Sequence, residues 1–296
     1  MKKNKSLGII YIILSAFCFA VMNLFVRLSG DLPAIEKSFF RNLVAVLVAF
    51  LLLKKNHVPI YVSKKNLPGI LIRSIAGTVG IWCNFYALGK IDLADASILN
   101  KLSPFFVLLF SIIILKESLT VFQGSCVLLA FIGAMCVIKP GLASLASGGL
   151  ASWIGALGGL AAGLAYTYVR KLGENGVPGA VIVFFFSAFS CLASLPYIAL
   201  YYQPASWSQI GLLLLAGVSA AGGQFAITAA YTHSPAREIS IYDYSQIIFA
   251  TLLGFIVLGE VPDKLSFLGY AIIIAASLIL FLYNNGKIGH LKKVEN

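Results

Sequence analysis

The sequence predicts an all-α integral membrane protein of ten transmembrane helices, arranged as two inverted five-helix repeats. Three observations carry this expectation. Hydrophobic residues make up 59% of the 296-residue chain and charged residues only 11%, against about a quarter charged in soluble domains. Apolar runs long enough to supply the roughly 20 helical residues that cross a ~30 Å hydrocarbon core recur from end to end. The second half also repeats the first at a shift of 143 positions, which places Arg27 on Arg170, Ser97 on Ser240 and Glu117 on Glu260.

Apolar windows bounded by charged, Gly or Pro clusters predict spans near residues 7–28, 33–53, 67–88, 93–115 and 121–139. A second set follows near 150–171, 178–200, 208–230, 237–259 and 264–283. Hydrocarbon offers no partner to an unpaired amide, and the runs lack the alternation of a barrel strand, so the spans must be helices. The repeats then occupy residues 7–139 and 150–283, and residues 284–296 form a basic cytoplasmic tail. Five is odd, so the second copy enters the membrane upside down. Such inverted repeats are a transporter signature, because two halves that exchange roles can open a shared site to either side.

The net charge of +11 is dispersed as short clusters between spans and does not gather on one surface, so no nucleic-acid partner is expected. With a cytoplasmic N-terminus, fourteen Lys and Arg residues fall in inside segments and five in outside segments. That bias predicts a multi-pass protein of a bacterial inner membrane with both termini in the cytoplasm. The five cysteines lie in apolar runs without CxxC or Cys/His spacing, so neither a disulfide framework nor a zinc site is indicated. No cofactor or metal is expected.

A charged residue in mid-span costs ~3 kcal/mol on insertion scales, so it normally faces a partner or a watery cavity. Lys101 and Asp243 are the deepest. The repeat shift places Asn100 on Asp243 and Lys101 on Tyr244, which makes two related polar pairs on spans four and nine. Two readings stand at this point: a binding site between the repeats, and an ion pair that fixes packing. If the cargo is a zwitterion, Asp243 meets its amine and Lys101 its carboxylate. Asn23, Trp82, Asn84, Tyr86, Tyr166, Gln224 and Gln246 are the other expected substrate contacts, since a few placed polar groups among aromatic walls make a small-molecule pocket. Gating or structural roles are expected for Arg41, Arg73, Pro104, Glu117 and Glu260. Arg73 can snorkel to headgroups, Arg41 can pair with Glu36 or meet an anionic cargo, Pro104 should kink span four, and the two glutamates cap or gate span ends.

The stretch Tyr86-Ala-Leu-Gly-Lys-Ile-Asp-Leu-Ala-Asp-Ala-Ser97, with Leu102-Ser-Pro-Phe105 and Leu115-Lys-Glu-Ser-Leu-Thr120, resembles the EamA-type drug/metabolite transporter superfamily. The second copy departs from the pattern, with Gln246-Ile247 where the first has Ser103-Pro104. The resemblance spans nearly the whole chain. It implies a secondary transporter, an exporter or exchanger, that moves a small polar metabolite such as an amino acid by alternating access. A coupling proton or counter-solute is among the implied partners, and the unit is a monomer or homodimer. The segments Phe39-Phe-Arg-Asn42 and Asn100-Lys-Leu-Ser-Pro104 are similar to adenosylmethionine-type carriers, which keeps an adenosylmethionine-like cofactor or a nucleotide-type metabolite as alternative cargo. An intramembrane enzyme is the competing class, as is a membrane protein without transport. The chain carries no Gly-x-Ser-x-Gly, His-Glu-x-x-His or Walker-type motif, so an enzyme is not expected.

Overall fold

The computed structural model describes residues 5–88, 90, 99–138, 149–259, 261 and 263–287. Glu260, the connection from Lys139 to Gly148, the start of the predicted fourth span and most of the basic tail lie outside them. The first half contributes α1 (Lys5–Leu28), α2 (Ala34–Lys55), α3 (Leu67–Leu88), α4 (Ser103–Leu115) and α5 (Val121–Ile138). The second contributes α6 (Gly149–Glu174), α7 (Gly179–Tyr201), α8 (Trp207–His233), the short α9 (Ala236–Ile239), α10 (Ser245–Leu258) and α11 (Lys264–Asn284). A 3₁₀ turn, Ser240–Tyr244, joins α9 to α10. No strand occurs among the described residues.

Among the described residues seven helical segments are long and apolar enough to cross a membrane: α1, α3, α6, α7, α8, the stretch from α9 through α10, and α11. α2 has the length, with 22 residues, but carries Glu36, Lys37 and Arg41 near its start and Lys54 and Lys55 at its end. α4 and α5 are shorter apolar helices. Bulky apolar side chains such as Leu51, Ile113, Leu192 and Phe267 point outward, an arrangement that suits lipid and would be costly over so wide a surface in water.

Packing follows a pattern that exchanges the halves. α1 runs along α8 and α3 along α6, so the first helix of each half packs on the third of the other. α2 meets α7 and α5 meets α11, each helix on its own counterpart. Small residues bring the backbones together, the usual device where lipid removes any hydrophobic drive between helices. A Cβ added to Gly159 would stand 2.5 Å from the Leu99 carbonyl, and one added to Gly80 3.3 Å from that of Gly158.

Two helices are interrupted at matching places. α4 begins at Ser103 after a turn at Lys101 and Leu102, with Pro104 in its first turn. Pro104 therefore starts a helix, where its missing N–H costs nothing, and does not kink a continuous one as expected. In the second half the 3₁₀ turn precedes α10. Each of these half-helices ends on a left-handed residue, Lys116 with φ 54° and Gly259 with φ 69°. They run in opposite senses. Ser118, just past α4, accepts hydrogen bonds from Arg237 at the start of α9, whereas Leu258, at the end of α10, borders the same cleft as Arg27 and Lys37.

Candidate functional site

The interruptions put the deepest charges in contact. The Lys101 ammonium donates to Asp243 Oδ2 at 2.9 Å, to Gln246 Oε1 at 2.7 Å and to the Asp243 carbonyl at 3.3 Å. The Tyr244 hydroxyl donates back to the Lys101 carbonyl at 3.1 Å. The two breaks are thus tied to each other, each through a bond to a backbone carbonyl of the other half. The pair is nearly enclosed, with both side chains at or below 10% exposure. Such a pair repays its desolvation only when further hydrogen bonds complete it. Gln246 supplies one.

Beside it lies a cleft with ≈ 750 Å³ of empty space. Asn23 from α1, Asn84 from α3 and Asn100 beside the break line it, together with Tyr166 from α6 and Gln224 from α8. Lys101, Asp243 and Gln246 complete the polar wall. Ser103, from the quoted motif, also lines it, as do Phe19, Met22 and Phe186, which no sequence signal singles out.

Arg41 and Arg73 belong to the same wall. Arg73 does not snorkel: it is 2% exposed, and its guanidinium lies 4.1 Å from the centroid of the Phe186 ring and 5.9 Å from that of Tyr166. The Phe186 ring, contributed by α7, holds it in the interior. Arg41 does not pair with Glu36, whose Oε1 accepts the Gln203 N–H at 2.7 Å. Its Nε instead lies 3.1 Å from Met22 Sδ, and its guanidinium faces Phe19. Arg41 Nη1, Arg73 Nε and Gln224 Nε2 are buried without a hydrogen-bond partner.

Three expected contacts lie elsewhere. Tyr244 is fully buried behind the Lys101 turn. Trp82 is absent from the wall and its Nε1 is buried without a partner, while Tyr86 is 41% exposed on the outer surface. Helical phase explains the last two. Gly77, Gly80, Ile81 and Asn84 line the cleft at spacings of three and four, so positions two residues from Asn84 point roughly 200° away from it.

The cleft widens into a larger space of ≈ 1410 Å³, which shares Asn23, Asn84, Asn100, Lys101 and Gln246 and extends past Arg27, Asp31 and Lys37 at the α1–α2 loop. The opposite end is closed by ion pairs. Arg170, from α6, contacts Glu117 at 3.4 Å and Glu174 at 2.7 Å. Glu117 is thus no freely solvated cap; burial pushes its carboxyl up from the ordinary value and Arg170 opposes the rise. Its repeat mate Glu260 lies outside the described residues. Among the described residues no group of three metal-ligating side chains occurs.

The EamA-like transporter family model matches residues 6–139 and again residues 150–282. A pseudopaline exporter of Pseudomonas aeruginosa, CntI, is 34% identical over 275 residues, which span 92% of this chain and 95% of the relative. A riboflavin transporter of Vibrio cholerae is 25% identical over 93% of this chain and 92% of its own. A solved crystal structure superposes with a TM-score of 0.84 over 97% of this chain and 100% of its own, at 15% sequence identity, a likeness of fold.

Proposed function

This chain belongs to the EamA-like transporter family, and on that premise we propose that it is a secondary transporter that carries a small polar metabolite, such as an amino acid, across a bacterial inner membrane by alternating access. One observation carries the proposal. A cavity walled by Lys101, Asp243, Arg41 and Arg73 lies at two interrupted helices, open toward the α1–α2 loop and latched by Arg170 at the other end. Transporters place substrate sites at broken helices between inverted repeats, because freed backbone groups and half-helix ends can serve a ligand there.

The opposed directions of α4 and α10 and the exchange of helix partners support inverted repeats and, with them, ten spans and two cytoplasmic termini. On this topology the open mouth faces outward and the latched end faces the cytoplasm. Export or exchange is supported by the relatives named as pseudopaline exporters. Lys101, Asp243, Gln246, Asn23, Asn84, Asn100, Tyr166 and Gln224 are the proposed substrate contacts.

Counterflow in proteoliposomes tests this: liposomes preloaded with unlabelled solute from a panel of amino acids and other small polar metabolites should accumulate labelled solute transiently. The proposal fails if folded protein supports no flux above protein-free liposomes for any of them. Labelling of cysteines introduced singly tests the topology, which is overturned if position 144, between the halves, labels from the cytoplasmic side.

A further inference from the structure

We propose that the cargo is a small organic anion with two negative charges, carried on carboxylates or on one phosphate group, and that Arg41 and Arg73 hold it. This rests on the transport function proposed above.

The cleft wall carries three cations, Arg41, Arg73 and Lys101, against one carboxylate, Asp243. Lys101 already donates hydrogen bonds to Asp243 and Gln246. Among the described residues neither arginine meets a carboxylate. The Arg73 guanidinium lies against the Phe186 and Tyr166 rings, and Arg41 meets the Met22 thioether and the Phe19 ring. A buried cation without an acceptor is among the costliest arrangements in a membrane interior. Two buried guanidiniums in one cavity, with only the weakly accepting Met22 sulfur between them among the described residues, imply that something else supplies oxygen acceptors.

The unpartnered atoms agree in kind. Arg41 Nη1, Arg73 Nε and Gln224 Nε2 are all donors, and all three residues face this space. A cargo without net negative charge would leave the two guanidinium charges unbalanced. An oxyanion would satisfy them, since a guanidinium offers two parallel N–H groups that match the two oxygens of a carboxylate or the edge of a phosphate. The rings of Phe186 and Phe19 face the guanidiniums, and a ring face supplies no oxygen acceptor for their N–H groups. Two arginines on different helices, α2 and α3, call for two acidic groups or for one group with several oxygens.

The test uses the full chain, purified in detergent and reconstituted. Succinate and glycerol 3-phosphate serve as probes, with alanine, succinamide and putrescine as controls. Melting temperature should rise with the concentration of at least one dianion and stay flat with the controls, and the same dianion should show counterflow. Whether succinate or glycerol 3-phosphate wins tells which group carries the charge. Arg41→Gln and Arg73→Gln should each weaken binding about tenfold or more, while their melting temperatures without ligand stay at or above that of the parent, because an unpaired charge has been removed. Should a Gln variant not fold, Arg73→Lys keeps the charge but loses the fork, and binding should still fall.

Dianions that neither bind nor exchange, beside flux of alanine or putrescine, overturn the inference and leave the transport function standing. Dianion binding that depends on the arginines, without flux of any solute, supports the anion site and overturns transport. Dianion binding unchanged in both Gln variants overturns the role of the arginines.

Discussion

The two ends of the central cleft are built from corresponding parts of the two halves and behave differently. At the closed end Arg170 reaches Glu117 and Glu174 and donates to the carbonyls of Tyr231 at 3.4 Å and Thr232 at 3.5 Å, while Arg237 holds Ser118. At the other end Arg27, the repeat mate of Arg170, borders a space of ≈ 1410 Å³. A nearly symmetric chain has taken an asymmetric shape. Two such shapes related by exchange of the halves would have similar energies, so a modest bias from cargo can move the population between them.

The largest expected effect strikes the pair between the ends. Lys101→Met strands Asp243 as an uncompensated buried charge, which should cost ~3–5 kcal/mol. Melting of the purified protein should drop sharply, and Lys101→Met with Asp243→Asn should regain much of the loss. A double variant that melts no higher than the single would show that the two do not act as a unit.

Glu117→Gln attacks the latch, leaving Arg170 with Glu174 and two carbonyls, and should cost ~1–3 kcal/mol at the closed end. In protein freed of native cysteines, a cysteine at Leu119 should then label roughly tenfold faster, and one at Leu253 in the open mouth more slowly. Equal rates with and without the substitution would remove Glu117 from the closure.

The smallest effect separates the two helix stops. Lys116 pays for a left-handed backbone that Gly259 adopts freely. Lys116→Gly should therefore stabilise by ~0.5–1 kcal/mol and Gly259→Ala destabilise by about as much, as read from melting temperatures. Opposite signs would mean that side-chain contacts, not φ, decide these positions.

Much of this site was legible because membranes make charge conspicuous. Lys101 and Asp243 stood out from uncharged surroundings, and the repeat shift related their positions before any distance was known. Trp82, Asn84 and Tyr86 are close along the chain, yet of the three only Asn84 shares the face of Gly77, Gly80 and Ile81. The 3.6-residue period of α3 separates them. Arg73 departs from expectation for a different reason. Its distance from the span start suited snorkelling, and its burial depends on Phe186 from a helix more than a hundred residues later. Within the run Phe184-Phe185-Phe186 nothing local distinguishes the ring that turns inward.

The left-handed stops also bear on ancestry. Lys116 and Gly259 stand 143 positions apart, and their amides reach back to Ser111 and Gly254, which differ by the same interval. Around them the copies have drifted: Asn100 became or arose from an Asp, Lys101 from or into a Tyr, Ser103-Pro104 exchanged with Gln246-Ile247. The hand of the backbone outlasted the chemistry of the side chains. Where a duplicated half-helix must stop is thus inherited more strictly than what it carries, which leaves each copy free to specialise its polar residues without moving the frame that presents them.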